Sequence, residues 1–363
     1  MGSSGIWSTC RLHCGYCGRQ RSALRSRDAT SCSLCARCFR TRYHRPRIRF
    51  ACEHGNRILL DKTLTPSNIA RQLDQYVVGQ DDAKKTIAVA VYAHFRKIAK
   101  SQRDNASVTK SNILLVGSTG TGKTLLCSTL SRILGVPFVT AEATSLAQTR
   151  YVNEEIEAIL QRLGDKASGD VSKARHGIVF IDEIDKLKAG GPEAQATSGE
   201  GVQHALLKIM EGSPVKVDGG RYIDTTDVLF ICGGAFVGLN EIMAQSRAYK
   251  YISVTKGDNQ QMMDRLNSRV KPTDLFSYGL IPEFTGRLPI VAHFHDLNRK
   301  MLVRVMTEPR DCIYSQFREI FANDGVELSV EPKVFDQIAE LAFEYKIGAR
   351  SLRGIFEEMI TPI

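Results

Sequence analysis

The stretch from residue 112 to residue 124 reads NILLVGSTGTGKT and decides the fold. Its first five residues form a short apolar run that ends at Gly117, which is typical of a strand buried in a parallel sheet. The next eight fit the pattern G-x-x-x-x-G-K-[S/T], and a helix is predicted over residues 124–134. Strand, glycine-rich loop and helix in this order predict a phosphate-binding loop. The eight residues are Gly117, Ser118, Thr119, Gly120, Thr121, Gly122, Lys123 and Thr124.

The residue types of this loop suit a nucleoside triphosphate. Glycines let backbone N–H groups surround phosphate oxygens, and the amino end of a helix adds a favourable dipole. Lys123 is expected to reach the β- and γ-phosphates, and the Thr124 hydroxyl to take a Mg²⁺ position. The alternative is a glycine-rich turn with an incidental lysine. The complete pattern in the right context argues against it.

A second apolar run supplies two acids. The run over residues 177–181 is predicted as a strand, and Asp182 and Glu183 follow it directly. Ligands bind at the carboxyl ends of strands in open α/β sheets. Asp182 is expected to hold Mg²⁺, and Glu183 to polarise the attacking water as a general base. Alone, such a pair would be interpreted as a solvated strand end, but downstream of a phosphate loop it is the expected partner.

Strand and helix patterns alternate along the middle of the chain. Strands are predicted over residues 112–116, 136–140, 177–181 and 228–232, and helices over 124–134 and 153–163. This alternation predicts an α/β fold with a parallel sheet flanked by helices. We assign residues 65–295 to a large ATPase domain and residues 296–363 to a small, mostly helical domain, with helices over 339–345 and 351–359.

Charge and cysteine are concentrated in residues 1–60. The chain has 363 residues and a net charge of +10, and this segment alone carries 12 Arg, no Lys and 2 acids. The rest of the chain is therefore neutral, which argues against nucleic-acid binding by the body. No apolar run approaches the length of a membrane span.

Seven of the ten cysteines lie in that same segment. Cys14-x-x-Cys17 and Cys35-x-x-Cys38 have the spacing of a tetrahedral Zn²⁺ site. Cys32 with Cys35 is an overlapping alternative. Free cysteines in a processed or disordered leader are the competing interpretation.

The excess arginine has three interpretations. Arginine and serine with few acids at an amino terminus are typical of a mitochondrial transit peptide, which would place the protein in the matrix. A zinc domain that binds adaptors or substrates in a bacterial-type cytoplasm is the second. A nucleic-acid-binding knuckle is the third and ranks last.

From about residue 65 onward the chain resembles the ClpX family, AAA+ protein unfoldases of the Clp/Hsp100 group. The resemblance implies MgATP hydrolysis in a six-membered ring of identical chains that threads or remodels protein substrates, and a ClpP-type peptidase as a possible partner. The family zinc domain also favours Cys35 and Cys38 as the second ligand pair. The motifs that carry the resemblance are YVVGQ at residues 76–80, SGEGVQ at 198–203, GLIPEFTGRLP at 279–289 and GAR at 348–350.

The resemblance also assigns individual residues. Val78 and its neighbours would contact adenine, and Leu125 joins the nucleotide-binding set beside Thr124. Arg287 would be an arginine finger inserted into the site of the neighbouring subunit, where a planar guanidinium suits the charge of the transferring phosphoryl group. Arg350 would touch the phosphates from the small domain of the same chain.

A substrate-gripping loop is implied at Tyr151-Val152, the aromatic–aliphatic pair of the family's pore loop. Its two flanking glycines are replaced by Arg150 and Asn153. A tyrosine packed at the start of a helix is the alternative.

Other positions depart from the family. No Ile-Gly-Phe tripeptide for peptidase docking occurs over residues 248–261, which favours a peptidase-independent remodeller as the alternative function. The small domain of the family continues beyond residue 359, so we expect a fragment or truncated chain with impaired ring assembly. Asp185 follows the acid pair without an assigned role, and a surface or subunit-contact residue is an equal alternative. No polar side chain is found for the sensor position after the fourth predicted strand.

Overall fold

The computed structural model describes residues 64–104, 110–149, 151–188, 199–217, 220–248, 270–345 and 348–361. The predicted zinc ligands and the Arg-rich segment 1–60 lie outside these ranges, as do Arg150 and residues 249–261 of the stretch searched for a peptidase-docking tripeptide.

Five parallel strands form the central sheet, in the order β2-β3-β6-β1-β7, and β4 and β5 pair as a separate antiparallel hairpin. The strands are β1 (Ile113–Val116), β2 (Phe138–Glu142), β3 (Ile178–Asp182), β4 (Pro214–Val217), β5 (Arg221–Asp224), β6 (Leu229–Gly234) and β7 (Ile290–His293).

Helices precede, connect and follow these strands. In chain order they are α1 (Pro66–Asp74), α2 (Asp81–Asp104), α3 (Lys123–Leu134), α4 (Ala143–Gln148), α5 (Val152–Lys166), α6 (Val171–Ala174), α7 (Gly199–Glu211), α8 (Leu239–Ala248), α9 (Pro272–Tyr278), α10 (Pro282–Gly286), α11 (Arg299–Thr307), α12 (Ile313–Asn323), α13 (Pro332–Glu344) and α14 (Arg350–Ile360). Short 3₁₀ turns cover Ile184–Lys186 and Thr225–Asp227.

The core lies on both faces of the sheet, as the alternation of elements predicts. Along β1, Leu114 and Val116 pack into one apolar cluster, and Ile113 and Leu115 pack into the other. Successive side chains of a strand point to opposite faces, so a strand that is apolar throughout is covered by helices on both sides. A third apolar cluster, centred on Phe356, belongs to α11, α13 and α14 in the small domain.

The second predicted strand starts two residues too early. Gly135 ends α3 in a left-handed conformation, and the Val136 N–H donates to Ser131 O across the helix end. This is the usual closure of a helix by glycine and the next residue. Val136 therefore belongs to the helix cap, and the strand begins at Phe138.

Strand β7 was not predicted. It has only four residues, and it pairs in parallel with β1, with Ile290 opposite Ile113 and His293 opposite Val116. Its position matters because it ends beside the phosphate loop.

Within the described ranges, every helix is too short or too polar to cross a bilayer.

Candidate nucleotide site

The loop between β1 and α3 is held in shape by its own side chains. The Lys123 ammonium donates to Gly117 O at 2.6 Å and to Ser118 O at 3.0 Å. The Thr121 hydroxyl donates to Ser118 O at 2.8 Å. Lys123 is buried, whereas Ser118 is exposed. The Lys123 side chain therefore folds back onto the backbone of the phosphate loop.

Gly117 is required by a close approach of the backbone. A Cβ atom at this position would lie 2.5 Å from Phe294 O and 2.6 Å from Phe294 Cβ. Phe294 directly follows β7, and its N–H donates to Val116 O at 2.8 Å. The phosphate loop and the end of β7 therefore share the same edge of the sheet.

The acid pair lies at that edge too, because all five strands are parallel. The Thr124 hydroxyl donates to Asp182 Oδ2 at 3.3 Å. A hydroxyl beside a carboxylate is a donor set that suits Mg²⁺, which prefers oxygen ligands and usually completes its octahedron with phosphates and water. The predicted magnesium residues are thus brought together across the sheet.

Glu183 has an unusual backbone conformation, with φ 58°. Its N–H donates to Asp182 Oδ1 at 2.9 Å, and the Thr144 hydroxyl donates to Glu183 Oε2 at 3.3 Å. Non-glycine residues in this left-handed region are uncommon and are often found at functional sites. The turn directs the carboxylate of Glu183 towards α4, beside the magnesium residues.

Asp185 is buried, which corrects its interpretation as a surface or subunit-contact residue. It accepts hydrogen bonds from the N–H groups of Ala235 at 3.2 Å and Phe236 at 3.3 Å. A Cβ atom on Gly234 would lie 2.6 Å from Asp185 Oδ1. The end of β6 has glycines because the carboxylates of Asp182 and Asp185 lie against it, and this accounts for the missing polar side chain at the sensor position.

The electrostatics centre on Lys123. Burial lowers the pKa of its ammonium, whereas Asp182 and Asp185 act to raise the pKa and Arg350 acts to lower it. Two cations, the buried Lys123 and the exposed Arg350, with two nearby carboxylates suit a ligand that carries both phosphate charge and a divalent metal.

The small domain contributes Arg350, the first residue of α14. The Ala349 N–H donates to Gly120 O at 3.1 Å, so the turn before α14 rests on the phosphate loop. Arg350 lines a cavity of about 620 Å³ together with Thr124 and Asp182. The structure therefore brings Arg350 to the predicted phosphate position.

Val78 lies in a second cavity, of about 470 Å³, between the large and small domains. Gly79 and Lys84 line it from one side, and Arg304 and Pro309 line it from the other.

The Lys84 ammonium pairs with the Asp74 and Asp81 carboxylates and donates to Val77 O at 3.3 Å. A buried lysine thus supports the backbone beside Val78, and the cavity has the size of a small-ligand pocket.

Arg287 is not near the phosphate loop of its own chain. Its carbonyl accepts from Asn112 Nδ2 at 3.1 Å, and its guanidinium pairs with Glu211 at 2.6 Å. Asn112 precedes β1 and Gly117 follows it, so Arg287 lies at the opposite end of the sheet. About half of its side chain is exposed, which leaves it accessible to another molecule.

The structure separates the two residues of the predicted pore loop. Tyr151 is 64% exposed at the start of α5, whereas Val152 is buried in the core. Tyr151 is therefore not packed, and in this conformation only its ring is available to a substrate. Leu125 is exposed next to Thr124.

A phosphate loop after one strand, an acid pair after another, and an arginine delivered by a helical domain define the class of AAA+ ATPases. The family model described as "AAA domain (Cdc48 subfamily)" matches residues 108–291. The model described as "C-terminal, D2-small domain, of ClpB protein" matches residues 297–363. The predictions of an ATPase and of this fold class are confirmed.

Curated relatives narrow the class. The ATP-dependent Clp protease ATP-binding subunit ClpX of Porphyromonas gingivalis is 41% identical over 96% of this chain and 90% of its own length. Its counterpart from Bacteroides thetaiotaomicron is 44% identical over 82% and 76%, and ClpX 2 of Wolinella succinogenes is 39% identical over 97% and 90%. The chain belongs to the ClpX family of ATP-dependent unfoldases.

Proposed function

We propose that this chain hydrolyses MgATP between neighbouring copies of itself and uses the energy to unfold or remodel proteins. The observation that carries the proposal is the convergence of Lys123, Thr124, Asp182 and Arg350 at one edge of the sheet, while Arg287 lies at the other. The test is complementation between two inactive variants, given below.

Each residue has a distinct task. Lys123 and the loop N–H groups bind the phosphates, and Thr124 and Asp182 hold the metal. Glu183 orients a water molecule and takes its proton as the water attacks the terminal phosphorus. MgATP, when bound, supplies the phosphoanhydride bond that breaks and the metal charge that stabilises the leaving phosphate.

Arg287 acts in the site of the adjacent copy, within a ring that we propose to be a hexamer. R287K and E183Q should each be inactive alone. In a mixture, an E183Q copy lends its arginine to the intact site of an R287K copy, so ATPase activity should return. A mixture as inactive as its two components would overturn the shared site.

We propose that Tyr151 grips the substrate. Y151A should hydrolyse ATP but fail to unfold a fluorescent protein with an unstructured tail. Y151F keeps the ring and is the matched control, expected to unfold it at near the wild-type rate. Equal unfolding by the two variants would exclude the ring as the grip.

A ClpP-type peptidase is the proposed partner, since the relatives are named as subunits of a Clp protease. The absence of Ile-Gly-Phe from residues 248–261 favours the second candidate, a peptidase-independent remodeller. ATP-dependent co-purification with a ClpP-type peptidase supports the first, and its failure with an active unfoldase supports the second.

We propose that residues 1–60 hold zinc through Cys14, Cys17, Cys35 and Cys38. The support for this proposal is the spacing of the two Cys-x-x-Cys pairs, which suits a tetrahedral Zn²⁺ site. Zinc content of the full chain should fall in C14S and stay unchanged in C32S. Loss of zinc in C32S but not in C38S would favour the overlapping set.

The composition of the same segment also bears on the subcellular location of the protein. Its 12 arginines and 2 acids lead us to propose the mitochondrial matrix, with the cytoplasm as the alternative. Residues 1–60 fused to a fluorescent protein should enter mitochondria. Diffuse fluorescence would favour the cytoplasm.

A further inference from the structure

Gln80 connects two segments that are distant in sequence. It ends the Val78 loop, which we define as residues 75–80, and it faces the linker, defined as residues 294–298, which joins β7 to α11. Gln80 is 3% exposed and has φ 58°. A buried glutamine in a left-handed conformation is uncommon and needs a cause.

The cause lies in its amide group. Gln80 Nε2 donates to His295 O at 2.7 Å, and Gln80 Oε1 accepts from His295 N–H at 2.9 Å. Both ends of the amide are therefore bound to the backbone of one residue. An amide offers a donor and an acceptor side by side, whereas methionine has no N–H or O–H donor and an ionised glutamate only accepts, so neither can replace both bonds.

The linker is the connection between two separately packed domains. Large-domain clusters lie on the two faces of the sheet, and the small domain has its own cluster. Domains joined by a short segment with a limited interface move relative to each other by default. The hydrogen bonds that hold the linker therefore determine the position of the small domain relative to the nucleotide site.

Other contacts tie the Val78 loop to the same side. The Arg310 N–H donates to Gln75 O at 3.0 Å, and a Cβ atom on Gly79 would overlap Met301 Cε. Gln80 Nε2 also lies 3.5 Å from Thr121 O in the phosphate loop. The loop beside Val78 thus touches the linker, the small domain and the phosphate loop.

We propose that Gln80 is a positioning residue that locks the linker to the Val78 loop, so that occupation of the Val78 cavity holds Arg350 over Lys123. This deepens the proposed function and rests on it. Gln80 need not touch the nucleotide, since it acts through His295.

The experiment compares Q80M with Q203M in the full chain. Gln203 is the matched control because it is also fully buried, donating to Leu187 O at 2.6 Å and accepting from Ile281 N–H at 2.8 Å. It contacts neither the linker nor the Val78 loop. The readouts are thermal unfolding, titration with fluorescent ADP, and the distance between spectroscopic labels on α6 and α12.

Both variants should unfold at a lower temperature than wild type. Only Q80M should bind ADP at least about tenfold more weakly, since both hydrogen bonds to the His295 backbone are lost from the closed arrangement. Only Q80M should lose the change in label distance that ADP produces in wild type. If Q80M does not fold, Q80E, which loses the donor alone, should weaken binding in the same direction.

ADP binding by Q80M within twofold of wild type would overturn the assignment, as would equal weakening in Q203M. Neither result would contradict the proposed ATPase activity, because nucleotide binding and domain movement are measured without hydrolysis. A wild-type chain that binds no ADP would overturn both.

Discussion

Replacing Gly348 by alanine adds one methyl group, and this should move the small domain away from the phosphate loop. Gly348 has φ 67°, and a Cβ atom there would lie 3.0 Å from Gly120 O and 3.1 Å from Thr119 O. These neighbours are backbone atoms of the phosphate loop and cannot rotate away as a side chain would. We therefore expect G348A to push α14 away from the loop.

Two costs can be distinguished. An alanine in the left-handed region costs about 1–2 kcal/mol, whether or not nucleotide is bound. Displacing the turn also breaks the bond from Ala349 N–H to Gly120 O, 3.1 Å long, which is worth about 1 kcal/mol. The first cost lowers the free energy of unfolding, and the second weakens nucleotide binding about fivefold to tenfold.

The assay is a titration of the full chain with fluorescent ADP, together with urea unfolding. G354A is the control, because Gly354 lies inside α14 and a Cβ added there would meet no side chain and no other segment of the chain within 4 Å. It should bind ADP as wild type does and gain up to about 1 kcal/mol in helix stability. A dissociation constant for G348A within twofold of wild type would refute the reasoning that docking on Gly120 is part of the site.

Three other predictions concern buried or catalytic groups. E183Q should bind ATP with unchanged affinity and lose turnover by about 10²–10⁴-fold in a steady-state ATPase assay; retained turnover would remove Glu183 from the mechanism. D185N should lower the free energy of unfolding by about 1–3 kcal/mol in urea, because the amide leaves one of the N–H groups of Ala235 and Phe236 without an acceptor; an unchanged midpoint would contradict the buried contact. Burial lowers the pKa of His94 to about 4, so as pH falls from 6.5 to about 4 the unfolded chain binds a proton that the folded chain does not. Wild type should lose up to about 3 kcal/mol over this window, and H94Q should lose less when urea unfolding is compared at pH 7 and pH 4.5; equal losses would rule out His94 as the source.

Apolar runs and glycine patterns predicted much of the fold. Four strands of the sheet were found because each is a short apolar run bounded by turn residues. Strand β7 was missed because its apolar run, Ile290 to Ala292, follows Pro289 and ends at His293, so it does not stand out as an apolar strand in the sequence. The order of strands could not be predicted, since periodicity does not specify which strands are neighbours.

The phosphate loop and acid pair were predictable because their chemistry follows from adjacent residues. The role of Asp185 was not, because its partners Ala235 and Phe236 lie 50 and 51 residues away and bind through backbone N–H groups. The same holds for Gln80, whose sequence context in YVVGQ pointed only to the adenine region. Tyr151 and Val152 are adjacent in sequence, but the first turn of α5 directs them to solvent and to the core respectively.

Strand β7 also sets the mechanics of the small domain. Because Phe294 follows β7 directly and lies against Gly117, the connection to the small domain begins beside the phosphate loop, and a pivot there would lie close to the phosphates. On the other side, α13 has 13 residues and is about 20 Å long. A rotation of about 10° about this pivot would move the far end of such an arm by about 3 Å, close to the rise of one residue in an extended chain. If the small domain turned about this connection, a sub-ångström change at the phosphates would therefore correspond to a movement of several ångströms at the far end of the arm.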